Sequence, residues 1–206
     1  MDEASISGIP VMIGSHFPRK LFHLTAASLI PTVYYFELVD RQSTLYLALI
    51  TAAVWVTADI ARIKIDSVNR VIYKGWLKNF MKAKEKNSLT GSSYVLIGSC
   101  LALLLFNPPI ASASIYFMSI GDPSAALAGK PFGKTRFGKS GKTLEGSASM
   151  FLVCLIIGYA ITGAVVMAVT GAVAGAITEF FTGPLDDNLS IPLVAGGAMT
   201  VCQWLY

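Results

Sequence analysis

Asp122 stands inside a long apolar stretch, and a loop dense in glycine and basic residues follows it. The loop contains Gly129, Lys130, Gly133, Lys134, Arg136, Gly138, Lys139, Gly141 and Lys142, and ends at Glu145 and Gly146. A charge within a membrane-like segment costs about 2.5–3.5 kcal/mol on insertion scales and usually serves a function. Glycines expose backbone N–H groups and lysines add positive charge, so such a loop suits phosphate. A metal-linked carboxylate beside a phosphate loop at a membrane edge points to chemistry on a nucleotide and a lipid. Two plainer readings stand beside this one. Asp122 can cap a helix that resumes at Pro123, and the loop can be an ordinary basic segment on the cytoplasmic side.

Residues 133–140 match the G-x-x-x-x-G-K-[ST] pattern, with Gly133, Gly138, Lys139 and Ser140 in the defining positions. That pattern makes a nucleotide-binding P-loop only between a strand and a helix of a parallel sheet. Here it lies between two apolar segments with no alternation of strand and helix, so a P-loop is not expected. The glycines and lysines remain available to phosphate in another scaffold.

The elements that must position these groups are membrane helices. Of the 206 residues, 54% are hydrophobic and 14% charged, against about 25% charged in a typical soluble domain. Mean hydropathy is +0.61. Residues 21–36, 42–58, 87–121, 146–178 and 188–206 carry no Asp, Glu, Lys or Arg. At about 20 residues per crossing, they predict an all-α, polytopic single domain with seven transmembrane helices. These are expected near 21–39, 43–60, 91–106, 109–128, 145–161, 163–181 and 190–206. Residues 1–18 are polar or mixed, with no cleavable signal expected. Cys100, Cys154 and Cys202 lie in apolar spans and read as small core residues.

Basic residues orient the chain. Of the 16 Lys and Arg residues, only Arg41 falls on the far side when the N-terminus is cytoplasmic, as the positive-inside rule requires. The same topology puts Asp59, Glu85, Asp122, Glu145, Glu179, Asp186 and Asp187 on the cytoplasmic side. A transporter would place polar groups nearer the midplane. One-sided clustering suits an interfacial enzyme with a water-soluble co-substrate.

Residues 62–86 predict a basic amphipathic helix, with Ile65, Val68, Ile72, Trp76 and Phe80 on one face and Arg70, Lys74, Lys78 and Lys82 in a row. Such a stripe either lies on anionic headgroups or guides an anionic substrate; nucleic acid is not expected as a partner. Asp59 and Arg62, three residues apart, are expected to pair and hold a helix end.

Several blocks resemble the CTP-dependent polyprenol kinase family, which includes dolichol kinase, phytol kinase and CTP-using diacylglycerol kinase, and is distantly similar to phosphatidate cytidylyltransferases. They are Arg19-Lys20-Leu-Phe-His23, Ala58-Asp59-Ile-Ala-Arg62, Glu85 with Leu89-Thr90-Gly91-Ser-Ser-Tyr94, Gly121-Asp122 with Gly129, Lys142-Thr-Leu-Glu145-Gly146, Glu179, and Asp187-Asn188-Leu-Ser-Ile-Pro192. The resemblance runs from Arg19 to about Gly197. The region from Glu179 to Pro192 lacks the His-Gly-Gly turn and Asp-Arg pair of the cytidylyltransferase branch, which favours kinase over nucleotidyl transfer. Dolichol kinases of complex cells carry extra N-terminal spans, and none are expected here.

The resemblance implies transfer of the γ-phosphate of CTP to the hydroxyl of a lipid alcohol, such as a polyprenol, phytol, geranylgeraniol or diacylglycerol. The chemistry is mostly positioning and charge stabilisation, with a divalent cation, Mg2+ or Ca2+. It implies Asp122 and Asp187 as metal carboxylates and Lys142 as a phosphate contact. Arg19, Lys20, Gly129, Lys130, Gly133, Lys134, Lys139 and Asn188 would belong to the nucleotide site. Glu179 and Asp187 are candidates for a further metal ligand or for the base that accepts the alcohol proton. Glu145 would orient Lys142, bind metal or cap the fifth span. His23 has either a functional or a structural role.

Overall fold

A computed structural model of the chain describes residues 17–74, 83–136, 141–181 and 185–206. Those residues are helical apart from short connections and one isolated antiparallel bridge between Arg136 and Thr143. The order is α1 (Phe17–Tyr35), α2 (Arg41–Lys64), α3 (Asp66–Lys74), a 3-10 turn (Ala83–Asn87), α4 (Gly91–Leu105), α5 (Pro108–Tyr116), a π-helical turn (Phe117–Gly121), α6 (Asp122–Phe132), α7 (Leu144–Thr162), α8 (Val165–Phe180) and α9 (Asp187–Leu205). Helices stand where the seven apolar segments predict them. Two of these, Arg41–Lys64 and Leu144–Thr162, are long and apolar enough to cross a membrane.

Local chemistry sets the boundaries. Asp40, Thr90, Asn107, Thr143 and Asp186 each turn a side-chain oxygen onto a first-turn N–H of the helix that follows. Pro108 and Pro109 open α5, where a missing N–H costs nothing. Gly163 closes α7 at φ +68°, a left-handed conformation that glycine adopts without strain. That residue makes 144–162 and 165–180 two helices rather than one.

The leg formed by α5, the π turn and α6 lies at the centre. It packs on α1, α4, α7 and α9. Phe117 is fully buried, and its ring lies against Gly158 of α7 and Gly171 and Gly175 of α8. Much of the interior is small: Ala102, Ala111, Ala113, Ala168, Ala172 and Ala195 are wholly buried. Large apolar side chains point outward, among them Ile50, Val54, Ile156 and Val201.

Two readings are corrected. Asp122 is not the cap of a resuming helix: it continues a helical leg with φ −59° and ψ −46°, and its N–H bonds the Phe117 carbonyl five residues back. Pro123, next in the chain, has no N–H to keep the i−4 ladder, and the extra residue of the π turn re-aims Asp122. The leg runs on to Phe132, so Asp122 lies roughly 15 Å inside its end. Finally, residues 62–86 do not form one amphipathic helix. α2 ends at Lys64, Ile65 is extended, and α3 is a separate helix of 9 residues. Trp76, Lys78, Phe80 and Lys82 lie outside the described residues.

Candidate functional site

Among the described residues, two clusters of charged side chains lie within the bundle, and they differ in kind. The first joins α2, α3, the 3-10 turn and the start of α4. Asp59 and Arg62 form the expected ion pair at 2.8 Å, and both are almost wholly buried. One Asp59 oxygen also accepts from the Thr90 N–H at 2.7 Å and the Ser93 hydroxyl at 2.7 Å. Arg62 spends its remaining donors on Asn69 and on the carbonyls of Glu85, Lys86 and Ser88. Asn69 in turn donates to the Lys86 carbonyl, and the Gly91 N–H donates to Glu85. Fully partnered buried groups of this kind fix structure. The blocks around Asp59, Glu85 and Thr90 therefore build a clamp that ties the connection after α2 to α4.

The second cluster gathers Lys142, Glu179, Asp187 and Ser147. Lys142 immediately precedes Thr143, the cap of α7; Glu179 is in the last turn of α8; Asp187 opens α9. The Lys142 ammonium donates to Asp187 Oδ2 at 2.9 Å and to the main-chain carbonyl of Glu179, and lies 3.5 Å from Glu179 Oε1. The Ser147 hydroxyl donates to Glu179 Oε2 at 3.0 Å. Asp122 lies deeper on the neighbouring leg. Next to it in the chain Gly121 meets Cys154 of α7, and Ala125 meets Gly146.

Burial alone would lower the Lys142 ammonium. Its hydrogen bond and charge pairing with Asp187, and the charges of Glu179 and Asp122, outweigh that and hold it above its ordinary range. Of the expected residues, Lys142, Glu179 and Asp187 thus meet directly. Ser147 is a member that sequence reasoning missed. The sequence carries a signal for it, since Ser147 lies five residues after Lys142 in the first turn of a capped helix.

The remaining expected residues have other places. Gly129 is in α6, not in the loop, and a side chain there would meet Thr143 Oγ1 at 2.7 Å. A side chain at Gly133 would meet the Gly129 carbonyl and Thr143, and one at Gly146 the Ala125 carbonyl at 2.7 Å. These glycines let α6 and α7 approach; the expected phosphate loop starting at residue 129 starts only after Phe132. Glu145 does not pair with Lys142. Its carboxylate accepts from the Thr135 N–H at 3.1 Å and closes the loop, beside the Arg136–Thr143 bridge. Lys130 and Lys134 are exposed. Asn188 donates to Asp186 at 2.7 Å and stiffens the α9 cap next to Asp187. The backbone of Arg19, Lys20 and His23 lies early in α1, with side chains outside the described set. Lys139 lies outside the described residues. The helix-to-helix setting of 133–143 is not that of a P-loop.

Among the described residues, no three His, Cys, Asp or Glu side chains come close enough to hold a metal ion by themselves. Cys100, Cys154 and Cys202 are free and buried. A separate apolar groove of about 370 Å³ lies between α1, α2 and α4, lined by residues such as Ile30, Ala48, Trp55 and Val95. It shares no lining residue with the Lys142 cluster.

No family model matches the chain, and no solved structure does. The chain is similar to an uncharacterized protein of Rickettsia prowazekii (strain Madrid E), at 27% identity over 186 residues, which is 85% of this chain and 88% of that protein.

Proposed function

We propose that this chain is a multi-pass membrane kinase that moves the γ-phosphate of CTP to the hydroxyl of a lipid alcohol at the cytoplasmic face. The observation that carries the reading is the meeting of Lys142, Glu179 and Asp187 from three separate elements. The choice of CTP and of a lipid alcohol rests on the resemblance. Membrane residence is supported by small residues inside and large apolar residues outside, the arrangement of helices packed in lipid rather than water. With the N-terminus cytoplasmic, the seven apolar segments bring the Lys142 loop and the ends of α8 and α9 to one side.

In this reaction the lipid oxygen attacks the terminal phosphorus, and the bond to the β–γ bridging oxygen breaks. The products are the lipid phosphate and CDP. Lys142 turns to the transferred phosphate and offsets its charge. The hydroxyl proton passes to Glu179. Ser147 holds the second oxygen of that carboxylate, which keeps it aimed. Lys130 and Lys134 draw the anionic nucleotide to the loop. The groove between α1, α2 and α4 can take an apolar chain.

A divalent cation fits the donor set in kind, because hard oxygen ligands suit Mg2+, and Mg2+ commonly takes one or two carboxylates and fills its shell with phosphate oxygens. Asp122 and Asp187 are the residues to hold it. When bound, it would neutralise phosphate charge.

Label position tests the proposal. The purified protein, given CTP labelled at the γ- or α-phosphate and a panel of prenols and diacylglycerol, should put γ-label and no α-label into lipid. Transfer of α-label means CDP-lipid synthesis instead, and no labelled lipid with metal present removes the proposal.

A further inference from the structure

The Lys142 ammonium has three N–H donors and no acceptor. Three oxygens surround it: Asp187 Oδ2, Glu179 Oε1 and the Glu179 carbonyl. Two of its donors are hydrogen-bonded, to Asp187 and to the Glu179 carbonyl, and its charge pairs with the Glu179 carboxylate before any ligand arrives. A phosphate can gain this lysine only if a carboxylate loses it. Glu179 is 5% exposed, and a buried carboxylate without a cation is costly. Whatever takes Lys142 away must leave positive charge behind.

Resting on the reading of this cluster as a nucleotide site, we propose that Lys142 is a resident cation that keeps Asp187 from binding a divalent metal until a nucleotide phosphate draws it off. The protein alone then has little affinity for free metal, and metal enters with the nucleotide. Asp187, vacated by the lysine, takes the metal in the same event, and Glu179 keeps a cation nearby. The exchange of lysine for metal at Asp187 couples the arrival of the two ligands.

Free Mn2+ is measured by electron paramagnetic resonance in titrations of the detergent-solubilised full chain, without nucleotide. Lys142→Met should bind one Mn2+ at least about tenfold more tightly than the wild type, a difference of about 1.4 kcal/mol. Adding Asp187→Asn to Lys142→Met should remove the gain. Equal Mn2+ affinity in wild type and Lys142→Met overturns the proposal. If Lys142→Met does not fold, Lys142→Gln is read in the same way. Tight Mn2+ binding by the wild type alone overturns it without any variant. A metal gain in a protein that phosphorylates no lipid leaves the resident cation standing and removes the kinase reading. Phosphorylation with no metal gain does the reverse.

Discussion

Lys142 and Asp187 are 45 residues apart in the chain and meet at 2.9 Å where α7 and α9 begin. Glu179, at the end of α8, closes the triangle. The pairing gives Lys142 a raised ammonium pKa in the folded state, despite burial that opposes it. A raised lysine contributes stability that is fully present below its unfolded value and is lost as pH rises through the folded value. The ordinary value is 10.5, so the loss begins only above that pH. Thermal unfolding of wild type and Lys142→Gln should differ by a constant amount from neutral pH to about 10, and the difference should shrink above 10.5. A gap that closes between pH 7 and 9 would contradict the pairing.

Arg62 illustrates a different role. It is buried against Asp59 and bonds three main-chain carbonyls of the segment that leads to α4. Removing one partner of a buried pair costs about 3–5 kcal/mol. Arg62→Met should lower the free energy of unfolding in detergent by that amount. The nucleotide KM of the protein that remains folded should not change. A variant as stable as the wild type would show that the clamp holds nothing.

Much of this arrangement can be read from the sequence. Charge-free runs mark the helices, because apolar segments must satisfy their backbone internally. Asp122, Lys142, Glu179 and Asp187 stand out as charges at the edges of such runs. What the sequence hides is tertiary. Gly129 looks like a loop glycine beside Lys130, yet it belongs to α6, where its lack of a side chain admits Thr143. Glu145, three residues from Lys142, looks like its partner. The loop instead folds Thr135 onto Glu145 and sends Lys142 to helices 37 and 45 residues away. The π turn leaves only Pro123 as a local sign, and the row of basic residues after α2 ignores the break at Ile65.

Glycine roles can be separated by substitution. A side chain at Gly146 meets the Ala125 carbonyl at 2.7 Å, whereas one at Gly197 meets nothing within 4 Å. Gly146→Ala should cost about 1–3 kcal/mol by overpacking. Gly197→Ala, in the same assay of thermal unfolding, should be neutral or stabilising by up to about 1 kcal/mol, since alanine favours helix. The opposite order would remove the close approach of α6 and α7.

Topology has a direct readout, because the three native cysteines are buried and give little background. A membrane-impermeant maleimide added to intact cells should label Glu37→Cys and spare Lys134→Cys. Permeabilised cells should show both labelled. Labelling of Lys134→Cys from outside would invert the proposed orientation.

In the proposed reaction the cluster around Lys142 carries phosphoryl transfer and Asp122 belongs to it. The most direct measurement is the single-turnover rate of γ-phosphate transfer from CTP to lipid in Asp122→Asn, a change of one atom in a half-buried side chain. With thermal unfolding matched to the wild type, the rate should fall by at least about 100-fold, the scale of losing one preorganised electrostatic contact. A folded Asp122→Asn protein that transfers phosphate at the wild-type rate would show that Asp122 takes no part in the reaction.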